Sequence, residues 1–158
     1  MAEVALRPVE ESDFNALFEQ MRDPESLRMA AFVAEDPDDR AAFEAHLTRN
    51  LASPGVFHRA VTLDGRLVGT VAAFVVDGDT EVTYWIDRPF WGRGIASRAL
   101  ALLLEAVPAR PLFARAASDN ARSIAVLRRA GFEIIGTDVG FANGRRAEIE
   151  ETILRTPA

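Results

Sequence analysis

The sequence predicts an α+β fold: a mostly antiparallel sheet of about seven strands with helices packed on it. Three observations predict it. Alternating or apolar runs of strand length fill the middle and the end of the chain. Between them stand stretches whose apolar residues recur at helical spacing. Turn pairs punctuate the strand runs at Asp64-Gly65, Asp77-Gly78 and Asn143-Gly144.

In chain order, Val4 to Arg7 reads as a short first strand, and Ser12 is placed to cap a helix reaching about Met21. Pro37 to Leu51 puts Phe43, Leu47 and Leu51 on one helical face and stops before Pro54-Gly55. Phe57 to Leu63 and Arg66 to Val76 form a hairpin about Asp64-Gly65, because Asp-Gly accepts the positive φ angles of a type I′ turn. A third strand, Thr80 to Ile86, completes an antiparallel meander.

The period then changes. Gly94 to Val107 carries Ile95, Ala99, Leu102, Leu103 and Ala106 at helical spacing. A strand from Leu112 to Ala116 follows Pro108 and Pro111. Asp119 or Asn120 opens a helix that Gly131 stops after Ala130. Two last strands, Phe132 to Phe141 and Ala147 to Leu154, are joined through Asn143-Gly144. No repeat or linker interrupts this order, so residues 1–158 read as a single domain.

Composition narrows the function classes. The 158 residues are 49% hydrophobic and 27% charged, with a net charge of -6, a balance that argues against a nucleic-acid partner, which needs a basic footprint. There are no cysteines, so disulfides, thiolate metal sites and a covalent cysteine thioester are excluded. No metal is expected. Neither a signal-peptide pattern nor an apolar run of spanning length occurs, so the reading is cytoplasmic with no membrane partner.

The most informative segment is Arg88-Pro89-Phe90-Trp91-Gly92-Arg93-Gly94-Ile95-Ala96-Ser97, where a strand passes through a glycine turn into a helix. Unpaired amides at a helix start carry the positive end of its dipole, and glycines let a phosphate approach them closely. Arg93 and Arg98 add positive charge. On their own, Gly92 and Gly94 fit a plain tight turn better than a diphosphate cradle. Walker and dinucleotide loops fit less well. No G-x-x-x-x-G-K-[ST] occurs, Ser97 stands where the dinucleotide fingerprint wants Gly or Ala, and an antiparallel meander precedes the turn.

The run Thr80 to Leu100 resembles motif A of the GCN5-related N-acetyltransferases (GNAT). Asn120-Ala-Arg-Ser123 through Gly131-Phe132 is similar to a second motif of that family, in the right order and spacing. Tyr84-Trp85-Ile86-Asp87 before Trp91-Gly92-Arg93-Gly94-Ile95-Ala96 looks like its ribosomal-protein N-terminal acetyltransferase branch (RimJ/RimL-like). Pro89 departs from the Gln or Arg common there. The resemblance covers essentially the whole chain. It implies helices on both faces of the sheet and a fourth and fifth strand that splay at a bulge to admit the pantetheine arm of acetyl-CoA.

The resemblance also implies the site. Trp91, Gly92, Arg93, Gly94, Ile95, Ala96 and Ser97 would cradle the diphosphate. Tyr84, Trp85 and Ile86 would line the thioester, with an N–H near Trp85 polarising its carbonyl. Asn120 would contact the pantetheine or only cap its helix. Glu81 matches a glutamate beside the acceptor site and reads equally as a base or as an exposed carboxylate. His58 and His46 read as packing or solvated residues. Relatives' tyrosine proton donor is replaced by Leu127, leaving Ser123 as the group near the sulfur. The implied activity is direct acetyl transfer from acetyl-CoA to a primary amine, on a small molecule or a protein N-terminus, by a monomer or homodimer. A non-catalytic acyl-CoA binding module is the alternative.

Overall fold

The computed structural model describes residues 2–158. Its strands are β1 (Val4–Pro8), β2 (Phe57–Leu63), β3 (Arg66–Val76), β4 (Asp79–Ile86), β5 (Leu112–Ala117), β6 (Glu133–Ala142) and β7 (Ala147–Arg155). Its α-helices are α1 (Phe14–Met21), α2 (Pro24–Ala30), α3 (Arg40–Ala52), α4 (Ile95–Ala106) and α5 (Ala121–Arg129). One seven-stranded sheet runs in the order β1-β2-β3-β4-β5-β7-β6. Every pairing is antiparallel except β4 with β5. No helix among the described residues is long and apolar enough to cross a membrane.

The two largest of three cores pack helices on opposite faces. The larger joins Val71, Val82, Ile86 and Leu154 of the sheet to Ile95, Ala99, Leu100 and Leu103 of α4 and Val126 and Leu127 of α5. The smaller packs Phe14 and Leu17 of α1 and Leu47 of α3 over Ala60. Because strand side chains alternate between faces, β4 divides accordingly: Val82, Tyr84 and Ile86 face α4 and α5, while Glu81, Thr83 and Trp85 face the other side.

The meander forms as its turn residues dictate. Asp64 and Gly65 have φ of 51° and 84°, and Asp77 and Gly78 have 50° and 87°, the paired positive angles of type I′ hairpins.

Three local expectations are corrected. Ser12 caps nothing: it lies in a 3-10 turn, Glu11–Asp13, closed by reciprocal Glu10 and Asp13 contacts, and α1 begins only at Phe14. Asp13 is turned instead to Arg7, whose Nη1 and Nη2 each donate to it at 2.8 Å. The second predicted helix starts at Arg40, because Asp39 accepts from the Ala42 amide and so sets the cap there. An extra helix, α2, stands before it. Asp23 caps this helix through the Ser26 amide and Pro24 occupies its first turn.

The strand separation at the centre of the sheet arises without a bulge in β4. Its ladder with β3 runs unbroken from Asp79 to Ile86, and the register shift lies one strand over, at Val61/Thr62 between β2 and β3. Gly69 of β3 permits the close crossing there, since a Cβ would overlap the carbonyl oxygen of Trp85.

Candidate active site

Parallel pairing of β4 with β5 consists of Thr80↔Leu112 and Glu81↔Phe113 and goes no further. Beyond that point β4 stays bonded to β3 on one side and leaves the backbone of Val82 to Ile86 open towards β5. The direction of its amides follows from the ladder. The Asp87 amide donates to Val68 of the β3 side at 2.8 Å, and the Ile86 carbonyl points the opposite way, accepting from the Trp91 indole at 2.7 Å. Alternation therefore turns the amides of Tyr84 and Ile86 into the gap and that of Trp85 towards β3. The amides that face the gap are therefore those on either side of Trp85, not its own.

After β4 a short 3-10 turn, Arg88–Phe90, leads into the glycines. Gly94 sits at the N-cap of α4 with φ 76° in the left-handed region, where a side chain is strained and where glycine keeps the first amides uncovered. The first amide of this stretch to close a helical bond back to Gly94 is that of Arg98, at 3.1 Å. Ile95 is buried in the larger core, so it offers its backbone alone, and Ala96 packs partly against the same core. Ser97 is half-buried beside them. Arg93 lies over the Phe90 ring at 5.3 Å and Arg122 over the Trp91 ring at 5.4 Å, which brings two guanidinium groups to the turn.

From α5, Asn120 serves two segments at once. Its Oδ1 accepts from the Ser123 amide at 3.2 Å as helix cap, and its Nδ2 donates to the Met29 carbonyl of α2 at 3.2 Å. Ser123 Oγ lies 2.7 Å from the Tyr84 hydroxyl. Burial raises the Tyr84 pKa, opposed by the Ser123 hydrogen bond, so the phenol keeps its proton. Leu127 is buried in the core.

On the opposite face of the sheet, Glu81 is one of three carboxylates around a single guanidinium. Arg115 reaches Glu151 at 3.0 Å, Glu81 at 3.5 Å and Asp138 at 3.8 Å, so the group holds two negative charges in excess. Burial raises the Glu81 pKa; Arg115 opposes the shift, and Glu151, Asp79 and Asp77 reinforce it. Arg115, Glu151 and Asp138 were not visible as partners in the sequence. Their period-2 positions turn them to one face, but only the strand order brings β5, β7 and β6 beside Glu81. Trp85 shares this face, its Nε1 buried without a partner. His58 lies two strands away on β2, with its pKa lowered mainly by burial, and takes no part in the cluster.

The walls on this side come from the segment just after α2 and the turn between β6 and β7. Gly144 N donates to Ala31 O at 2.8 Å, Asn143 Nδ2 to Val33 O at 2.8 Å, and Arg145 clasps Asp119 at 2.7 and 2.8 Å. An open groove of about 430 Å³ between α1, the start of α2 and the turn after β4 is lined by Glu19, Arg22, Asp23, Asp87 and Arg88 among others. The Arg88–Asp23 ion pair, at 3.0 Å, crosses it.

The fold is shared with known proteins. A family model described as the acetyltransferase (GNAT) domain matches residues 3–133. The chain belongs to the GNAT family.

A curated relative, N-alpha-acetyltransferase RimI of Mycobacterium tuberculosis (strain ATCC 25618 / H37Rv), is 30% identical over 115 residues, 70% of either chain. Solved structures share the fold. RimL, a ribosomal L7/L12 alpha-N-protein acetyltransferase in complex with coenzyme A, superposes with a TM-score of 0.78 at 20% identity, over 95% of this chain and 92% of that one. A ribosomal-protein-alanine N-acetyltransferase from Brucella melitensis gives 0.81 at 22% identity, over 98% and 99%. The microcin C7 self-immunity acetyltransferase MccE, in complex with acetyl-CoA and AMP, gives 0.83 at 15% identity, over 99% and 93%. As a GNAT member the chain is an acetyl-CoA-dependent N-acetyltransferase.

Proposed function

We propose that acetyl-CoA lies with its diphosphate on the α4 amides and its pantetheine arm between β4 and β5, and that the acceptor amine approaches from the Glu81 face. The observation that carries this is the two-rung limit of the β4–β5 pairing, which leaves backbone donors facing a gap directly upstream of Gly94. Backbone N–H groups from Gly94 to Ser97 would hold the diphosphate, with Arg93 and Arg122 adding charge from the two aromatic rings. Trp91 and Gly92 shape the turn that presents them.

The amides of Tyr84 and Ile86 are aimed where negative charge develops on the acyl oxygen, and Trp85 lines the acceptor side. Glu81 acts as general base. It stands three residues from Tyr84, ~10 Å along the strand, so the bound ammonium loses its proton to Glu81 through intervening water and the neutral amine then attacks. Its raised pKa makes it a better proton acceptor than a solvated carboxylate, and Arg115 keeps it ionised. Ser123 assists departure of the thiolate, and Asn120 contacts the pantetheine while capping α5.

The acceptor is a primary amine, on a protein N-terminus or a small molecule, and the excess negative charge about Glu81 favours a cation. The enzyme is read as cytoplasmic and as a monomer or homodimer. Calorimetry with acetyl-CoA tests the site, with micromolar binding expected. Thiol release measured over a panel of N-terminal peptides and small amines tests turnover. Absence of any heat of association would overturn the reading.

A further inference from the structure

The Tyr84 and Ser123 hydroxyls join β4 to the first turn of α5 across 39 residues of sequence, at 2.7 Å. Tyr84 is the only tyrosine in the chain. Among the described residues neither hydroxyl has another hydrogen-bond partner. A phenol is a far stronger acid than an alcohol, and the alcohol oxygen is the better acceptor. Either hydroxyl can donate across this contact; the arrangement in which the more acidic phenol donates leaves the Ser123 hydrogen free.

From this geometry we infer that Tyr84 is a positioning residue, which orients the Ser123 hydroxyl so that its free hydrogen faces the coenzyme sulfur. The inference rests on the reading of the β4–β5 gap as the acetyl-CoA site. When the amine nitrogen bonds to the acyl carbon, the carbon–sulfur bond breaks and its electron pair stays on sulfur. Ser123 donates a hydrogen bond to that developing charge without giving up its proton. The thiolate leaves and takes a proton from water afterwards. With Leu127 buried in the core, α5 sends no hydroxyl of its own beyond Ser123, and the aromatic hydroxyl comes from the strand instead. Burial keeps the phenol protonated, so it remains a donor through neutral pH.

The test needs no acceptor. Free coenzyme A is bound to wild type, Tyr84→Phe, Ser123→Ala, Ser123→Thr and the Tyr84→Phe/Ser123→Ala double variant, and ionisation of its thiol is followed by ultraviolet absorbance against pH. In wild type the bound thiol should ionise below the free one by about half a unit to one unit, the size expected of one hydrogen bond. Tyr84→Phe and Ser123→Ala should each remove most of that shift, the double variant should remove no more than Ser123→Ala alone, and Ser123→Thr should retain it. Loss of packing alone would not move a thiol pKa, and Tyr84→Phe preserves the ring. A Tyr84→Phe value equal to wild type overturns the proposal, as does a wild-type value equal to that of free coenzyme. Coenzyme A that fails to bind wild type overturns the site reading together with this proposal.

Discussion

The amide of Gly144, in the turn between the last two strands, donates to the carbonyl of Ala31 just beyond α2. Two segments more than a hundred residues apart thus form one wall. A Cβ on Gly144 would overlap the Leu27 carbonyl oxygen and stand 3.0 Å from that of Ala31. Its tolerance for substitution is therefore set by backbone that cannot swing aside.

Gly144→Ala should cost about 1–3 kcal/mol of stability, the range of overpacking in a tight contact. Urea denaturation checks it. A loss under about 0.5 kcal/mol would mean that the α2 segment yields freely.

Gly94→Glu should leave the fold standing, because a Cβ there meets no atom within 4 Å, and cost only about 1 kcal/mol for the left-handed backbone. Acetyl-CoA affinity should fall at least about tenfold, since a carboxylate then competes for the α4 amides and repels phosphate. Calorimetry beside circular dichroism separates the two effects.

The rate should rise with pH through an apparent pKa above the ordinary glutamate value if Glu81 must be ionised to take the proton. Arg115 lowers that pKa and Glu151 raises it. Arg115→Gln should therefore move the acidic limb of kcat/KM to higher pH, and Glu151→Gln should move it lower. Glu81→Gln should reduce kcat by about 10²- to 10⁴-fold. A limb that ignores both neighbours would remove Glu81 from the chemistry.

Arg7 and Asp13 supply a stability prediction with a definite sign. The Arg7 hydrogen bonds, outweighing burial, hold the Asp13 pKa below the usual carboxylate range. The folded state thus binds this proton less readily than the unfolded state. The resulting stability is present above the unfolded aspartate pKa and disappears as pH falls through the lowered folded value. Asp13→Asn should cost about 1.5–3 kcal/mol at pH 7, the worth of hydrogen bonds to a charged group. The gap to wild type should narrow as the pH drops below about 4. Denaturant titrations at pH 7 and pH 3 measure it.

Much of this was legible in the linear chain because the physics is local. Asp64-Gly65 and Asp77-Gly78 specify their hairpins through φ angles that few other pairs adopt. Asn120 and Gly94 mark helix starts by what their own atoms do for neighbouring amides. Even α2, which the periodicity did not reveal, carries a local signature in Asp23-Pro24; at seven residues it is too short to display a repeating apolar face.

What sequence order could not decide is who meets whom. Tyr84 and Ser123, Arg115 and Glu81, and Gly144 and Ala31 are each brought together by the strand order β4-β5-β7-β6 and by the helices laid over it. The chain alone determined the strands, the helices other than α2, the glycine-led helix start and the family. Only the tertiary structure decided which amides enter the gap and which hydroxyl supports Ser123. Hydrogen bonds and ion pairs reach about 3–4 Å, a distance that residue spacing along a chain cannot foretell once a sheet has reordered its strands.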